Sequence, residues 1–406
     1  MSIYRQFGIE PIINASGTLT RLGGAIMPDA VVEAMKLASQ STVPLDELHA
    51  AGARLIARAT GAESGLVTGG ASASLTLGAA AILAGRDLAR IHQLPDTSRF
   101  PDEFLIAADQ RNGYDHAARA AGAHLIDVGM NEIVAGSGVR GVEIADFEQA
   151  LTQRTAGILY VYRENATPSL ADVVKWGHEH RLPILVDAAA ELTRRTNLRE
   201  IPATGADLIA FSGGKAIRGP QATGILCGRR ELIESAAMQM LDMDVPREEW
   251  SPPNDFIDPA NWPALPRQGI GRGLKVSKEQ LVGLLVALEL FIQGDTEGDR
   301  RAIKDRADRI IASLRSSSIE AYLGQDDGDL LGPILIPIEK NLDALLVRLR
   351  AGNPPIYARG NDDRASLLIR LACVRPDQDS ILIDRLREAI KWNETSSPSP
   401  GRLADR

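Results

Sequence analysis

Cysteine is nearly absent from this chain of 406 residues. The two present, Cys227 and Cys373, stand far apart in sequence, so neither a disulfide framework nor a thiolate metal site is expected, and a reducing cytoplasm fits. An excess of basic charge is also missing. Lys and Arg number 45 against 53 Asp and Glu, a net charge of −8, and no long basic run exists to follow a nucleic-acid backbone or an anionic membrane. Residues 1–11 hold no apolar core of a leader, and no later stretch approaches the roughly 20 apolar residues a spanning helix needs, which disfavours export and membrane insertion. Aromatic side chains make up only 4%, yet 44% of the chain is hydrophobic, enough to bury a substantial core without cross-links.

Short Val-, Ile- and Leu-rich runs are what the chain does contain. They recur at 65–68, 103–107, 124–128, 157–162, 183–187, 207–211 and 224–227, and read as buried strands. Stretches of helical period at 72–83, 115–121, 143–153 and 170–180 separate most of them, the βαβ rhythm of a parallel sheet covered on both faces. The interval 213–223 is too short and too rich in Gly and Pro for a crossover helix, so the seventh strand is expected to run antiparallel.

Residues 246–271 carry six prolines with little periodicity and read as an irregular connector. Ser277 begins a strongly apolar helix ending before Gly294, placed to link two domains. Beyond it, helices near 299–316, 342–351 and 378–392 and strands near 332–337 and 367–372 give a smaller α+β pattern. The expected division is an N-terminal segment 1–15, a large α/β domain 16–271, a linking helix and small domain 272–392, and a disordered tail 393–406.

Three stretches suggest chemistry. Thr68-Gly69-Gly70-Ala71-Ser72-Ala73-Ser74 ends the first strand and opens a helix. Its glycines admit close approach, Ser72 or Ser74 can cap, and free N–H groups favour a phosphate. The spacing is neither GxGxxG nor that of a P-loop. Asp187 follows the apolar run Pro183–Val186 at a strand end, where ligands of open α/β sheets lie. A carboxylate there needs a partner such as a protonated ring nitrogen, unless it merely caps the next turn. Lys215 closes Ser212-Gly213-Gly214-Lys215 on a glycine-rich turn. Its amine can condense with an aldehyde, and Ser212 adds a hydroxyl. Alone, Lys215 reads as a surface lysine. Together the three supply what pyridoxal phosphate needs: an anion site, a partner for the ring nitrogen and an imine-forming amine.

The chain resembles fold-type I pyridoxal-phosphate enzymes, most of all the branch with bacterial selenocysteine synthase and D-glucosaminate-6-phosphate ammonia lyase. Besides the three stretches above, the likeness rests on Ile13-Asn14-Ala15-Ser16-Gly17-Thr18, Gly219-Pro220-Gln221 and Gly271-Arg272-Gly273-Leu274-Lys275-Val276-Ser277-Lys278, and spans about residues 3–390. It implies Lys215 as the cofactor-bearing lysine and Asp187 as the ring-nitrogen partner. Gly70, Ala71, Ser72 and Ser212 would contact the phosphate, with a homodimer or larger homo-oligomer as the working form. Arg272 or Lys278 would then reach a phosphate or carboxylate across a subunit boundary, and Arg370 would grip a substrate carboxylate; ordinary salt bridges and a surface arginine are the plain alternatives.

The residue stacked on the cofactor ring is sought within 110–116, with His116 favoured by chemistry and Tyr114 and Arg111 as alternatives. His178-Glu179-His180 sits on a helix where i and i+2 diverge, so no metal site is expected. An SxxK acyl-transferase would need KTG or SDN companions that the sequence does not have.

The reaction implied is α,β-elimination from a small hydroxylated amino acid, sugar-derived in one version, to a 2-oxo acid and ammonia. Racemisation, aldol cleavage, transamination and a non-catalytic cofactor-binding role remain open. The chain reaches Asn14 without the N-terminal tRNA-binding portion of selenocysteine synthase, so the expected partner is a small molecule and not nucleic acid.

Overall fold

In the computed structural model, residues 2–130, 141–242, 244–325, 332–361 and 365–396 are described. They fall into two units, one built from Met1–Ile26 with Gly294–Arg406 and the other from Met27–Gln293.

The larger unit holds seven strands: β1 (Ser64–Thr68), β2 (Glu103–Ala107), β3 (His124–Val128), β4 (Thr155–Val161), β5 (Ile184–Asp187), β6 (Leu208–Ser212) and β7 (Gly224–Gly228). Their order is β1-β7-β6-β5-β4-β2-β3. Five neighbours from β6 to β3 pair in parallel, and β7 runs antiparallel to both β6 and β1. The expected α/β class and antiparallel seventh strand are therefore observed. Side chains alternate between two cores, as the pleat requires. Leu66, Phe104, Ile106, Leu159, Leu185, Leu208 and Leu226 enter one, while Val67, Leu105, Ile158, Ile184, Val186, Ile209 and Ile225 enter the other.

The helix Ala71–Ala84 is buried around nearly its whole circumference, which its almost unbroken run of Ala, Leu and Ser permits. At Gly78 a Cβ would lie 2.7 Å from a Leu185 methyl, so the glycine lets helix and sheet meet. The connector is irregular as expected, yet Trp250, Phe256, Ile257 and Trp262 anchor it in the first core. Helix Lys278–Gln293 starts with a reciprocal cap. Ser277 Oγ accepts from the Gln280 N–H at 3.2 Å, and Gln280 Oε1 accepts from the Ser277 N–H at 3.3 Å. This helix packs within the larger unit on helix Asp29–Ala38, where a Cβ on Gly283 would meet the Met35 side chain at 2.7 Å.

The other unit has a four-stranded antiparallel sheet, with Ile334–Pro337 and Ser366–Ile369 central, and a parallel pair, Ile13–Asn14 with Ile356–Tyr357. Ile13, Ile334, Ile336, Leu367, Ile369 and Leu386 belong to its core. Two local expectations are corrected here. The strand expected to continue through Ala372 ends at Ile369, because Arg370 leaves the sheet to bridge Ser16 and Leu371–Cys373 turn into a short 3₁₀ helix. The last helix runs Asp379–Ser396. Residues 393–396, assigned to the tail, thus continue it, with Thr395 Oγ1 donating to the Lys391 carbonyl at 3.0 Å. Residues 397–406 of that expected tail lie outside the described residues.

Candidate active site

Strand register assembles the site. Thr68 pairs with Gly224 and Gly224 with Ser212, so three neighbouring strands end level with one another. At roughly 4.8 Å per strand, Thr68 and Ser212 are about 10 Å apart, with a glycine between them. A Cβ on Gly224 would fall 2.4 Å from the Gly70 carbonyl carbon. Here the backbones of two segments meet with no side chain between them, and glycine at 224 permits that contact.

Gly70 is the N-cap of helix Ala71–Ala84 with φ 128°, a value for which glycine is suited. The expectation that Ser72 or Ser74 caps is corrected: no side chain caps this helix. Ser74 Oγ instead pairs with Thr68 Oγ1 at 2.8 Å, and Thr68 Oγ1 donates to the Gly70 carbonyl at 2.9 Å. These bonds shape the turn and leave Ser72, which is exposed and hydrogen-bonds through its side chain to no other described residue. The Ser212 hydroxyl is likewise without a partner among the described residues. The Ala71 and Ser72 N–H groups open the helix, where the backbone favours an anion.

Lys215 is presented by a loop folded on itself. The Gly213 N–H donates to the Thr223 carbonyl at 2.9 Å and the Gly219 N–H to the Gly213 carbonyl at 2.8 Å. A Cβ on Gly214 would meet Gln221 Cα at 2.5 Å. Here is the physical sense of the Lys-x-x-x-Gly-Pro-Gln spacing: its glycines bring the two limbs of the loop into backbone contact.

Asp187 ends β5, in register with Ala210 two residues before Ser212. Its Oδ1 accepts from the Ala189 N–H at 3.1 Å, so the turn-capping role is real but occupies one oxygen. Burial pushes this carboxyl up from the ordinary aspartate value, opposed by the Ala189 N–H and by the charge of Lys215. Burial pulls the Lys215 ammonium down, opposed by Asp187 and by Glu191. Lysine and aspartate thus share one electrostatic environment. Glu191, unassigned from sequence, joins them, its carboxyl raised first by burial and then by Asp187. Its only sequence signal is an acid one turn beyond a strand-end acid.

The remaining candidates stand differently. Arg272 pairs with Asp242 at 2.6 Å. Lys278 donates to the Ala38 carbonyl at 2.8 Å and pairs with Glu279. Both form the salt bridges considered as their plain alternative. Their segment still serves the site, since the Gly69 N–H donates to the Leu274 carbonyl at 3.2 Å and a Cβ on Gly69 would meet that oxygen at 2.9 Å. His116 is exposed, with Nδ1 3.1 Å from Arg119 Nη2. Tyr114 is 72% exposed, and Arg111 is held by Asp115 at 2.6 Å and by Asp127. Arg370 belongs to the terminal unit, where its N–H donates to the Ala15 carbonyl at 2.9 Å. His178 faces Asp207 and His180 faces Glu148, and no metal-binding cluster occurs among the described residues. No described helix is long and apolar enough to cross a membrane.

A side-chain-free backbone turn at a helix start, two hydroxyls unpartnered among the described residues, a partly buried strand-end carboxylate and a desolvated lysine fit pyridoxal phosphate. Gly70, Ala71, Ser72 and Ser212 would hold its phosphate, Asp187 its ring nitrogen and Lys215 its aldehyde carbon. These are the features of the fold-type I class.

Comparison with known proteins agrees. The family model described as "SelA: L-seryl-tRNA selenium transferase" matches residues 115–244. A 5'-C-glycyluridine monooxygenase-decarboxylase from Streptomyces sp is 28% identical, covering 95% of this chain and 92% of its own. The D-glucosaminate-6-phosphate ammonia lyase of Salmonella typhimurium is 29% identical over 88% of this chain and 89% of its own. A solved D-glucosaminate-6-phosphate ammonia-lyase structure superposes with a TM-score of 0.78 at 27% identity, covering 97% of this chain and 99% of that one. Among the fold-type I pyridoxal-phosphate enzymes, the chain is similar to the branch that holds this ammonia lyase and the selenium transferases.

Proposed function

We propose that the chain is a pyridoxal-phosphate-dependent ammonia lyase that removes the elements of water and then ammonia from a hydroxylated, sugar-derived amino acid. The observation that carries this reading is that Asp187 ends β5 beside β6, whose loop carries Lys215, so that each charge acts on the other, beside the Gly70–Ser72 turn. When bound, the cofactor supplies an electron sink for the bonds at the substrate Cα. The protein would do the rest: Gly70, Ala71, Ser72 and Ser212 would bind the phosphate, Asp187 would hold a cationic ring nitrogen, and Lys215 Nζ would take the substrate Cα proton. The relatives' names support an amino acid carried on a sugar framework. In this reading the enzyme is cytoplasmic and works as a homodimer or larger homo-oligomer, an assembly that light scattering measures.

The test is the visible spectrum of the purified protein before and after borohydride, followed by peptide mass mapping. An adduct on Lys215 is expected, and an adduct on another lysine overturns the assignment. A panel of D- and L-β-hydroxy amino acids with sugar-like side chains should then release ammonia and 2-oxo acid. The Streptomyces relative motivates a second reading, oxidative decarboxylation of such a substrate. Carbon dioxide release with oxygen consumption would select it, and epimerisation without ammonia would select a racemase.

A further inference from the structure

A second group of polar side chains reaches the carboxyl edge of the large unit's sheet on the 3₁₀ turn Ala108–Gln110, just after β2. Gln110 is only 3% exposed. Its Oε1 accepts from the Val161 N–H at 2.9 Å, as a carbonyl of a longer β2 would, while its Nε2 is buried without a partner among the described residues. Val161 is level with Asp187, and the Tyr162 N–H donates to the Asp187 carbonyl at 2.9 Å. The turn therefore stands two strands, about 10 Å, from the strand-end aspartate. Beside it lies a cavity of about 500 Å³, lined among others by Asp109, Arg163, Glu164, Asn165 and Thr167, a size that suits a small ligand. Arg163 Nη2 donates to Asp109 Oδ2 at 2.7 Å and to the Asp109 carbonyl at 3.1 Å. Asp109 Oδ1 is buried and accepts from no described residue. Glu164 pairs with Arg194, which also holds Glu200 at 3.2 Å. The Asn165 amide and the Thr167 hydroxyl make no hydrogen bond with any other described residue.

We propose that this cavity is the subsite for the hydroxylated tail of the substrate, and that the tail it takes is a neutral polyol without a phosphate. The inference rests on the reading of the neighbouring site as one for a sugar-derived amino acid. A polyol hydroxyl both donates and accepts, and the lining offers both kinds of partner: carboxylate oxygens on Asp109 and Glu164, an amide on Asn165 and a hydroxyl on Thr167. A buried acceptor without a donor is costly, and a hydroxyl donating to Asp109 Oδ1 removes that cost on binding. Charge decides against a phosphate. Among the described lining residues two carboxylates stand against one guanidinium, and both Arg163 and Arg194 are already engaged by carboxylates. A phosphate would meet like charge there and no free cation. Arg163 follows Val161 by two residues, so the cavity begins one strand over from Asp187 and about 7 Å further along. A chain anchored at the cofactor reaches it.

The experiment titrates the full-length, cofactor-loaded chain with three amines, read as dissociation constants from the visible band. The probes are ethanolamine, D-glucamine and D-glucamine 6-phosphate, which share the amine and differ in the tail. The unaltered chain should bind D-glucamine about ten-fold or more tighter than ethanolamine, and tighter than the 6-phosphate. Asp109→Ala removes the acceptor and releases Arg163. It should weaken D-glucamine by about ten-fold and tighten the 6-phosphate, reversing their order. Equal affinities for D-glucamine and ethanolamine in the unaltered chain overturn the proposal, as does tighter binding of the 6-phosphate there, or an order that Asp109→Ala leaves in place. Should Asp109→Ala fail to fold, Glu164→Gln takes its role: with one carboxylate fewer, the gap between D-glucamine and its phosphate should narrow, and an unchanged gap overturns the proposal. Failure in these titrations leaves the borohydride result at Lys215 standing, whereas an adduct on another lysine defeats the underlying reading.

Discussion

Gly224 on β7 and Gly70 at the head of helix Ala71–Ala84 are so close that a Cβ on Gly224 would lie 2.4 Å from the Gly70 carbonyl carbon and 2.7 Å from the Ala71 nitrogen. Backbone on both sides leaves no flexible group to yield. Gly224→Ala is expected to cost about 1–3 kcal/mol of stability through overpacking and to tilt the Ala71 and Ser72 N–H groups. Its retention of pyridoxal phosphate, followed by absorbance during dialysis, should fall well below that of the unaltered chain. Retention at the original level would show that this glycine contact does not shape the anion site.

Lys215→Arg keeps a cation on the Gly213–Gly219 loop but cannot form an imine. Activity should drop on the order of 10³-fold or more. The borohydride-stable adduct should vanish while the circular dichroism spectrum persists. A surviving adduct would mean that a different lysine carries the aldehyde.

At the opposite end of the strands, buried Asp207 accepts from the Ile184 N–H at 2.8 Å, contacts His178 Nε2 at 3.0 Å and accepts from Arg229 Nη1 at 2.8 Å. It joins β5, β6 and the segment after β7. Asp207→Ala removes the shared partner of all three and should cost about 3–5 kcal/mol. A lowered Tm is expected in a scan of the cofactor-loaded enzyme, and an unmoved Tm would show these bonds contribute little.

Acid stability should report His49. Its ring is buried, stacked on Phe256 with centroids 6.1 Å apart, and Nδ1 has no hydrogen-bond partner among the described residues. Burial lowers its pKa from 6.5 to about 4. The unfolded chain therefore binds a proton that the folded one refuses between those values. Folding loses about 3 kcal/mol as pH falls from 6.5 to 4, and the group contributes nothing to the slope above 6.5. His49→Leu should flatten that part of the curve in urea titrations at pH 4.5 and 7. An unaltered slope would mean the imidazole protonates in place.

The seven strands of the large unit were legible because each is a run of β-branched and aliphatic residues with no competing period, and the short Gly- and Pro-rich interval before Gly224 foretold the reversal of β7. Thr68–Ser72, Asp187 and Ser212–Lys215 could be picked out because each ends such a run. That Glu191 would be left without an ion pair among the described residues was not legible. Nothing local separates a carboxylate left unpaired from Glu164, which finds Arg194. The helical extension through Thr395 was hidden by its Ser- and Pro-rich surroundings. Arg370 was misplaced within a strand because its departure to Ser16 depends on residues more than 300 positions away.

By itself the sequence determined the α/β class and the chemical types gathered at the site, since hydrophobic period and side-chain chemistry are properties of residues in order along a chain. Only the tertiary structure decided which carboxylates found an arginine, which hydroxyl was spent on shaping the turn, and that Gly224 had to be a glycine. Those outcomes follow from strand register and from competition for hydrogen-bond and ion-pair partners, neither of which exists until distant segments meet.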